Sequence, residues 1–279
     1  IAMLKTEATP ERVAALREEM GLNDPLIVRY FRWVVSFVQG ELGMSYNYGL
    51  PVAELLRDKI IVTSSLALLS ILMIILVSLP LGFLMARYAE KLGGKIMKVT
   101  NQVVMAIPSF FLGVLIVLLF GLILKWFTPG QYISYTESIV GFLKYLLAPA
   151  IAIAIPKIAM LIKFLRDSVI KQKQSDYVRT AYSKGNSESR VLYVHVLKNA
   201  CISVITLLGM MIADIMAGSI VVEQVFNLPG LGRLLVASIG NRDFPVVSAI
   251  IIYIASIVVI VNFLVDILYR FIDPRIRVD

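Results

Sequence analysis

Residues 176–200 read DYVRTAYSKGNSESRVLYVHVLKNA, and they stand between two runs apolar enough to cross a bilayer. The stretch holds six charged residues and the chain's only histidine, His195, and it is broken near its middle by Gly185. The chain around it is 58% hydrophobic and only 16% charged, with a mean hydropathy of +0.83. Soluble domains carry about 45–50% apolar and about 25% charged residues, so this composition belongs to a bilayer protein. A long polar insert in such a chain has to meet something outside the hydrocarbon.

Five segments approach the roughly 20 apolar residues that cross a hydrocarbon core. Residues 60–86, 99–124 and 244–265 hold no charged side chain, while 145–162 holds Lys157 and 199–222 holds Asp214. Pro80, Pro108 and Pro156 fall inside spans, where neighbouring helices can satisfy the backbone groups they free. All five are predicted as helices, since no segment shows the ten-residue alternation of a barrel strand. The expected fold is therefore an all-α, polytopic membrane protein.

The net charge of +8 is distributed unevenly. Four basic residues lie in 87–98, eight in 163–198, and Arg270, Arg275 and Arg277 in the tail, against two each in 125–144 and 223–243. Basic residues mark cytoplasmic loops, so residues 176–200 form part of one. This orientation leaves residues 1–59 outside, as a helical external segment, with the membrane domain over 60–279. A further span before Ile1 is expected, to carry that segment across. Thr9-Pro10-Glu11 has the N-cap, first-turn proline and acid of a helix start, and Gly21 suits its end. Asp24-Pro25 opens a second helix whose aromatics, mixed with Arg29 and Arg32, suit the headgroup region or a partner's surface.

The chain lacks the constellations of a membrane enzyme. There is no H-E-x-x-H and no G-x-S-x-G, and Gly94-Lys95 fails as a phosphate loop because Ala89 holds the first glycine's place. A single cysteine, Cys201, excludes a disulfide framework and a cysteine metal site. His195 alone reads as structural. The chain is expected to bind no cofactor or metal itself, to catalyse nothing, and to move a cargo with energy drawn from elsewhere.

Within 176–200, Ser175 or Asp176 can cap a helix through YVRTAYSK, with Gly185 as its left-handed stop. Asn186 or Ser187 then caps a second helix leading into the next span. Tyr177, Val178, Ala181 and Tyr182 share one face of the first helix. Flanked by Arg179, Lys184 and Arg190, this ridge is either a docking surface or the apolar side of a helix lying on the inner leaflet.

The same 25 residues resemble the cytoplasmic EAA loop of ABC-importer permeases, in the version of the peptide/nickel permease family. GSIVVEQVFNLPGLGRLL (218–235), RDFPVV (242–247) and LVDILYRFIDPRIR (264–277) resemble that family's C-terminal region. TPERVAALREEMGLNDPLIVRYFRWV, GELGMSYNYGLPVAELL and IPSFFLG resemble its external segment and third span. The likeness implies a type I ABC-importer permease fold of six spans, the first preceding this sequence, in a bacterial or archaeal cytoplasmic membrane. It further implies a loop, at about 171–195, whose coupling helix docks on a cytoplasmic ATPase. Tyr177, Arg179, Thr180, Ala181, Tyr182 and Gly185 match that docking element. Arg179-Thr180-Ala181 replaces the general Glu-Ala-Ala, so Arg179 is not expected to make a glutamate's contact. The implied partners are a second permease, two ATPases holding ATP and Mg, and an external peptide-binding protein; this chain resembles the first of the two permeases.

Three ionisable residues are candidates for the pathway, because charge inside a span is costly. Lys157 lies about 18 Å below the outer end of its span, and Asp214 about 13 Å below Glu223, at about 1.5 Å per residue. The two are close enough in depth to pair. They line a cavity and meet the charged ends of a peptide, or they form a structural ion pair, or Lys157 snorkels alone. Glu223 sits at the outer end of its span, before a tight turn at Pro229, Gly230 and Gly232. By resemblance that turn helps close an external gate; as plain sequence it is a surface loop. The cargo implied is an oligopeptide or dipeptide. Nickel or a metal chelate is the alternative within the family, and an ion-coupled secondary transporter the alternative outside it.

Overall fold

The computed structural model describes residues 23–272. The helix start at Thr9-Pro10-Glu11, the stop at Gly21, and Arg275 and Arg277 lie outside them. Among the described residues the chain is helical, and its only β pairing is an isolated bridge between Met44 and Pro51.

Helix α1 (Leu26–Val38) follows Pro25 and buries no residue against the other described residues. Its Leu26, Ile27, Phe31 and Trp33 stay exposed, and Arg32 pairs with Asp24 at 2.7 Å. Helix α2 (Val52–Arg87) starts at Val52, so the boundary expected at 59/60 falls within a helix. Its 36 residues make about 54 Å of helix, more than the hydrocarbon thickness of about 30 Å, which leaves its first turns and their charges outside.

The expected span at 99–124 is sharply bent in the structure. It consists of α3 (Leu92–Ala106) and α4 (Ser109–Ile116), the latter continued by a π-helical stretch over Val117–Ile123, and the two arms meet at 89°. Pro108 is the cause: the residue before a proline is pushed out of helical geometry, and Ile107 is extended at φ −80°, ψ 124°. Pro80 in α2 and Pro149 and Pro156 in α5 (Ile139–Lys173) stay inside continuous helices. The difference lies in the arm that precedes Pro108, which carries Lys95, Lys98, Asn101 and Gln102 and is largely exposed.

After α5 come α6 (Asp176–Ser183), one turn of α7 (Glu188–Arg190), a π-helical stretch (Val191–Val196) and α8 (Leu197–Val225). Helix α9 (Leu231–Gly240) is too short to span, and α10 (Phe244–Ile272) closes the described chain. Helices α2, α5, α8 and α10 each hold a stretch long and apolar enough to cross a membrane, and the bent α3–α4 pair brings the number to five if it counts as one span.

Helix α5 is the centre. Leu146, Ile153, Leu161 and Leu165 on it pack in one core with Leu66 and Ile74 of α2 and Ile215 of α8. A second core joins Val52 and Leu56 of α2 to Leu231 and Leu234 of α9 and Val246 and Ile250 of α10, at the end where α2 begins. Gly82 allows α2 to close on α5, because a Cβ there would lie 2.9 Å from Leu165 Cδ2 and 3.3 Å from the Ile162 carbonyl oxygen. Overpacking at such a contact costs about 1–3 kcal/mol. Gly82→Val is therefore expected to lower the detergent melting temperature clearly, read by size-exclusion of a fluorescent fusion, whereas Gly93→Ala, which meets open space, leaves it near wild type.

Candidate functional site

The polar features singled out in the sequence occupy three places. The first is the 176–200 loop. Ser175 is the N-cap of α6, though its hydroxyl makes no capping bond, and Gly185 follows the helix at φ +77°. No atom crowds Gly185, so glycine is required there by backbone conformation alone. Ser187 caps α7 by accepting a hydrogen bond from the Arg190 amide at 3.4 Å. Asn186 plays a different part: its Nδ2 donates to the Ala181 carbonyl at 3.0 Å and closes the turn.

The expected exposed ridge divides into two faces. Val178 is 1% exposed and Ala181 6%, packed in the same core as Val191, Leu192 and Val196. Tyr177 is half-buried and donates its hydroxyl to Gln172 Oε1 at 2.9 Å. Arg179, Thr180, Tyr182 and Ser183 point outward. Ala181, counted on the docking face by sequence, is thus an anchor of the helix, because the π-helical stretch folds back beneath it. What α6 offers to another molecule is mainly polar, with the Tyr182 ring as its exposed aromatic.

The second place is the Lys157–Asp214 pair. The structure joins them directly, Lys157 Nζ on Asp214 Oδ2. The Asp214 side chain is 63% exposed and that of Lys157 only 21%. The pair is therefore open on the aspartate side.

The third place is the end where α2 begins. Glu223 is 0% exposed, its carboxylate enclosed by groups of its own chain. It accepts from Thr63 Oγ1 at 2.7 Å and from the Arg233 amide at 3.1 Å, while Thr63 Oγ1 accepts from the Leu231 amide at 2.8 Å. Carboxylate and hydroxyl together serve the otherwise unpaired amides that open α9. Gly230 and Gly232 pack against this group, and a Cβ on Gly230 would run into the Glu223 carboxylate. The turn at Pro229, Gly230 and Gly232 is thus built around a buried acid.

Two contributors here were not singled out in the sequence. Asp243 is 0% exposed and accepts from Ser45 Oγ at 2.5 Å, the Tyr46 amide at 3.1 Å and the Asn47 amide at 3.2 Å. It holds the loop between Met44 and Pro51 against the start of α10. Burial pushes the Tyr46 phenol above its ordinary range, Asp243 adds to that, and Arg29 opposes it. Tyr145 of α5 donates to the Phe226 carbonyl and accepts from the Gly130 amide, both at 2.9 Å, tying the 125–138 loop to the turn after α8. Nothing local in the sequence identifies Asp243 as the acceptor for Ser45 and the two amides after it.

Residues 78–278 match the family described as the binding-protein-dependent transport system inner membrane component, and the chain belongs to it. A protein of Brucella abortus (strain 2308) is 38% identical over 272 residues, covering 98% of this chain and 87% of its own length. The oligopeptide transport system permease protein AppB of Bacillus subtilis (strain 168) is 37% identical over 263 residues, covering 93% of this chain and 83% of the relative. The glutathione transport system permease protein GsiC of Salmonella paratyphi A is 34% identical over 275 residues, covering 97% and 86%. The helices described above are accordingly those of a type I ABC permease, a multi-pass membrane component of a transport system.

Two substitutions test the buried acids. A hydrogen bond to a charged group contributes about 1.5–3 kcal/mol, so Glu223→Ala is expected to lower the melting temperature of the purified protein. Asp243→Ala is expected to leave the melt closer to wild type but to release the 43–51 loop. Limited proteolysis should then cut within that loop at least several-fold faster; unchanged cutting would mean that Asp243 does not hold it.

Proposed function

We propose that the chain is the first of two paired permease subunits in an ATP-driven importer of oligopeptides or dipeptides, and that α6 is its coupling helix. The pair of permeases forms the pathway, an external binding protein delivers the cargo, and two cytoplasmic ATPases bind ATP and Mg and supply the energy. The chain itself catalyses nothing in this reading, and its membrane is the cytoplasmic membrane of a bacterium or archaeon. The names of the Bacillus and Salmonella relatives support a peptide cargo.

The observation that carries the coupling assignment is the two-faced build of α6. Val178 and Ala181 fix it to the chain's own core, while Arg179, Thr180 and Tyr182 face away from that core. A helix resting on the inner leaflet would turn its apolar side to lipid; here that side is already occupied. Movement of α6 is transmitted through the π-helical stretch directly into α8, and through Gln174 and Ser175 into α5. An ATPase gripping this helix thereby holds the ends of two membrane helices. Gly185, Pro229, Gly230 and Gly232 enter as bends, the first at the docking element and the others at an outer turn that takes part in closing the external gate.

The test is co-purification of ATPase subunits with the tagged, full-length chain in mild detergent. Arg179→Glu combined with Tyr182→Glu changes only outward residues and is expected to reduce recovered ATPase about ten-fold or more, the scale of removing an interface hot spot. Gly185→Pro is expected to act similarly by deforming the bend. Undiminished ATPase recovery with the double variant would remove α6 from the interface.

A further inference from the structure

The five apolar segments carry two charged side chains, and the structure has them touching. Both lie near mid-depth. The central residue of Ile139–Lys173 is 156, next to Lys157, and the central residue of Leu197–Val225 is 211, one turn from Asp214. A carboxylate at that depth costs about 2.5–3.5 kcal/mol or more in hydrocarbon, so an exposed one faces water or protein, not lipid. Asp214 lies on a continuous exposed stripe of α8 with Met210, Ala217, Val221 and Gln224, spaced by four, three, four and three residues. That stripe is mixed in polarity and partly small. The exposed face of α10 is different: Val259, Ile260, Phe263 and Leu264 suit lipid.

We infer that Lys157 and Asp214 are a binding site for a zwitterionic cargo, Asp214 taking its ammonium group and Lys157 its carboxylate. This rests on the peptide-importer reading above. The chemistry favours a cargo carrying both charges. Such a molecule replaces one internal ion pair by two external ones, so neither Lys157 nor Asp214 is left uncompensated in the bilayer. A cation or an anion alone would free one member of the pair without a partner. Without cargo the closed pair is itself neutral. The asymmetry in exposure orders the events: the open Asp214 meets the ammonium group first, and Lys157 is released to the carboxylate.

The experiment uses the importer assembled with its partner subunits in proteoliposomes, in a Cys201→Ser background. Met210→Cys and Ala217→Cys flank the pair on its stripe, and Ile260→Cys lies on the apolar face of α10. A water-soluble cationic methanethiosulfonate is expected to label the first two at least ten-fold faster than the third, and a tripeptide with free termini is expected to slow that labelling. Absence of labelling at both stripe positions places the pair against protein and overturns the proposal. The protecting concentration is then compared for free, N-acetylated and C-amidated tripeptide. Acetylation should raise it about ten-fold in the wild-type pair and not at all in Asp214→Asn; amidation should do the same with Lys157→Met. Equal losses for all three peptides, restored by exchanging the two charges, would make the pair purely structural. Intact peptide uptake without protection defeats this inference alone. Uptake of no peptide at all defeats the cargo reading, and this site with it.

Discussion

The packing of α2 along α5 sets the position of nearly everything else. Both helices exceed the hydrocarbon thickness, and their contact runs from the core around Leu66 and Leu146 to the close approach at Gly82. Because α5 also supports α3, α4 and α8, it acts as the post to which the other spans are fixed. Two buried serines of α2 are satisfied within the helix itself: Ser70 Oγ donates to the Leu66 carbonyl and Ser78 Oγ to the Ile74 carbonyl. The apolar surface of α2 is thereby left free for packing. Three prolines are held within continuous helices by that scaffold, and the fourth, Pro108, is not.

The two ends of the molecule are stabilised differently. Where α2 begins, buried acids add polar joins to the second apolar core: Glu223 gathers α2, α8 and the start of α9, and Asp243 gathers the 45–47 loop. Each is fully bonded, as a buried carboxylate must be to be tolerated. At the other end the join is apolar, Val178 and Ala181 seated on Val191 and Val196. A polar join resists sliding because each bond has one acceptable geometry. An apolar join of small side chains permits small shifts at little cost, and it is found where α6 meets its own chain.

Local signals were readable in the sequence and long-range ones were not. Gly185 and Ser187 punctuate the loop through backbone conformation and capping, which depend on neighbouring residues, so both ends of α6 and the start of α7 were legible. Which side of α6 faces inward depends on the later fold-back of residues 191–196, so the sequence shows the apolar stripe but not what covers it. Pro108 and Pro80 carry the same local message; their different outcomes follow from what packs beside them. The partners of Glu223, Thr63 and the opening amides of α9, are brought to it by the tertiary fold, and no local signal announces them. Lys157 and Asp214 were placed at similar depth by counting residues, since helical rise is uniform, and their meeting adds only the rotation of each helix.

The Asp243 clasp also has a consequence for the order in which the protein matures. Ser45 and its acceptor lie 198 residues apart, and Thr63 and Glu223 lie 160 apart. A chain emerging from its N-terminus inserts α2 and α5 and can pack them long before either acid has been synthesised. The 44–51 loop consequently has no fixed seat until α9 has been completed and α10 begun. The end of the molecule where α2 begins is the last to close, and a ribosome halted between the completion of α5 and residue 243 leaves a packed helical centre with an unsealed rim.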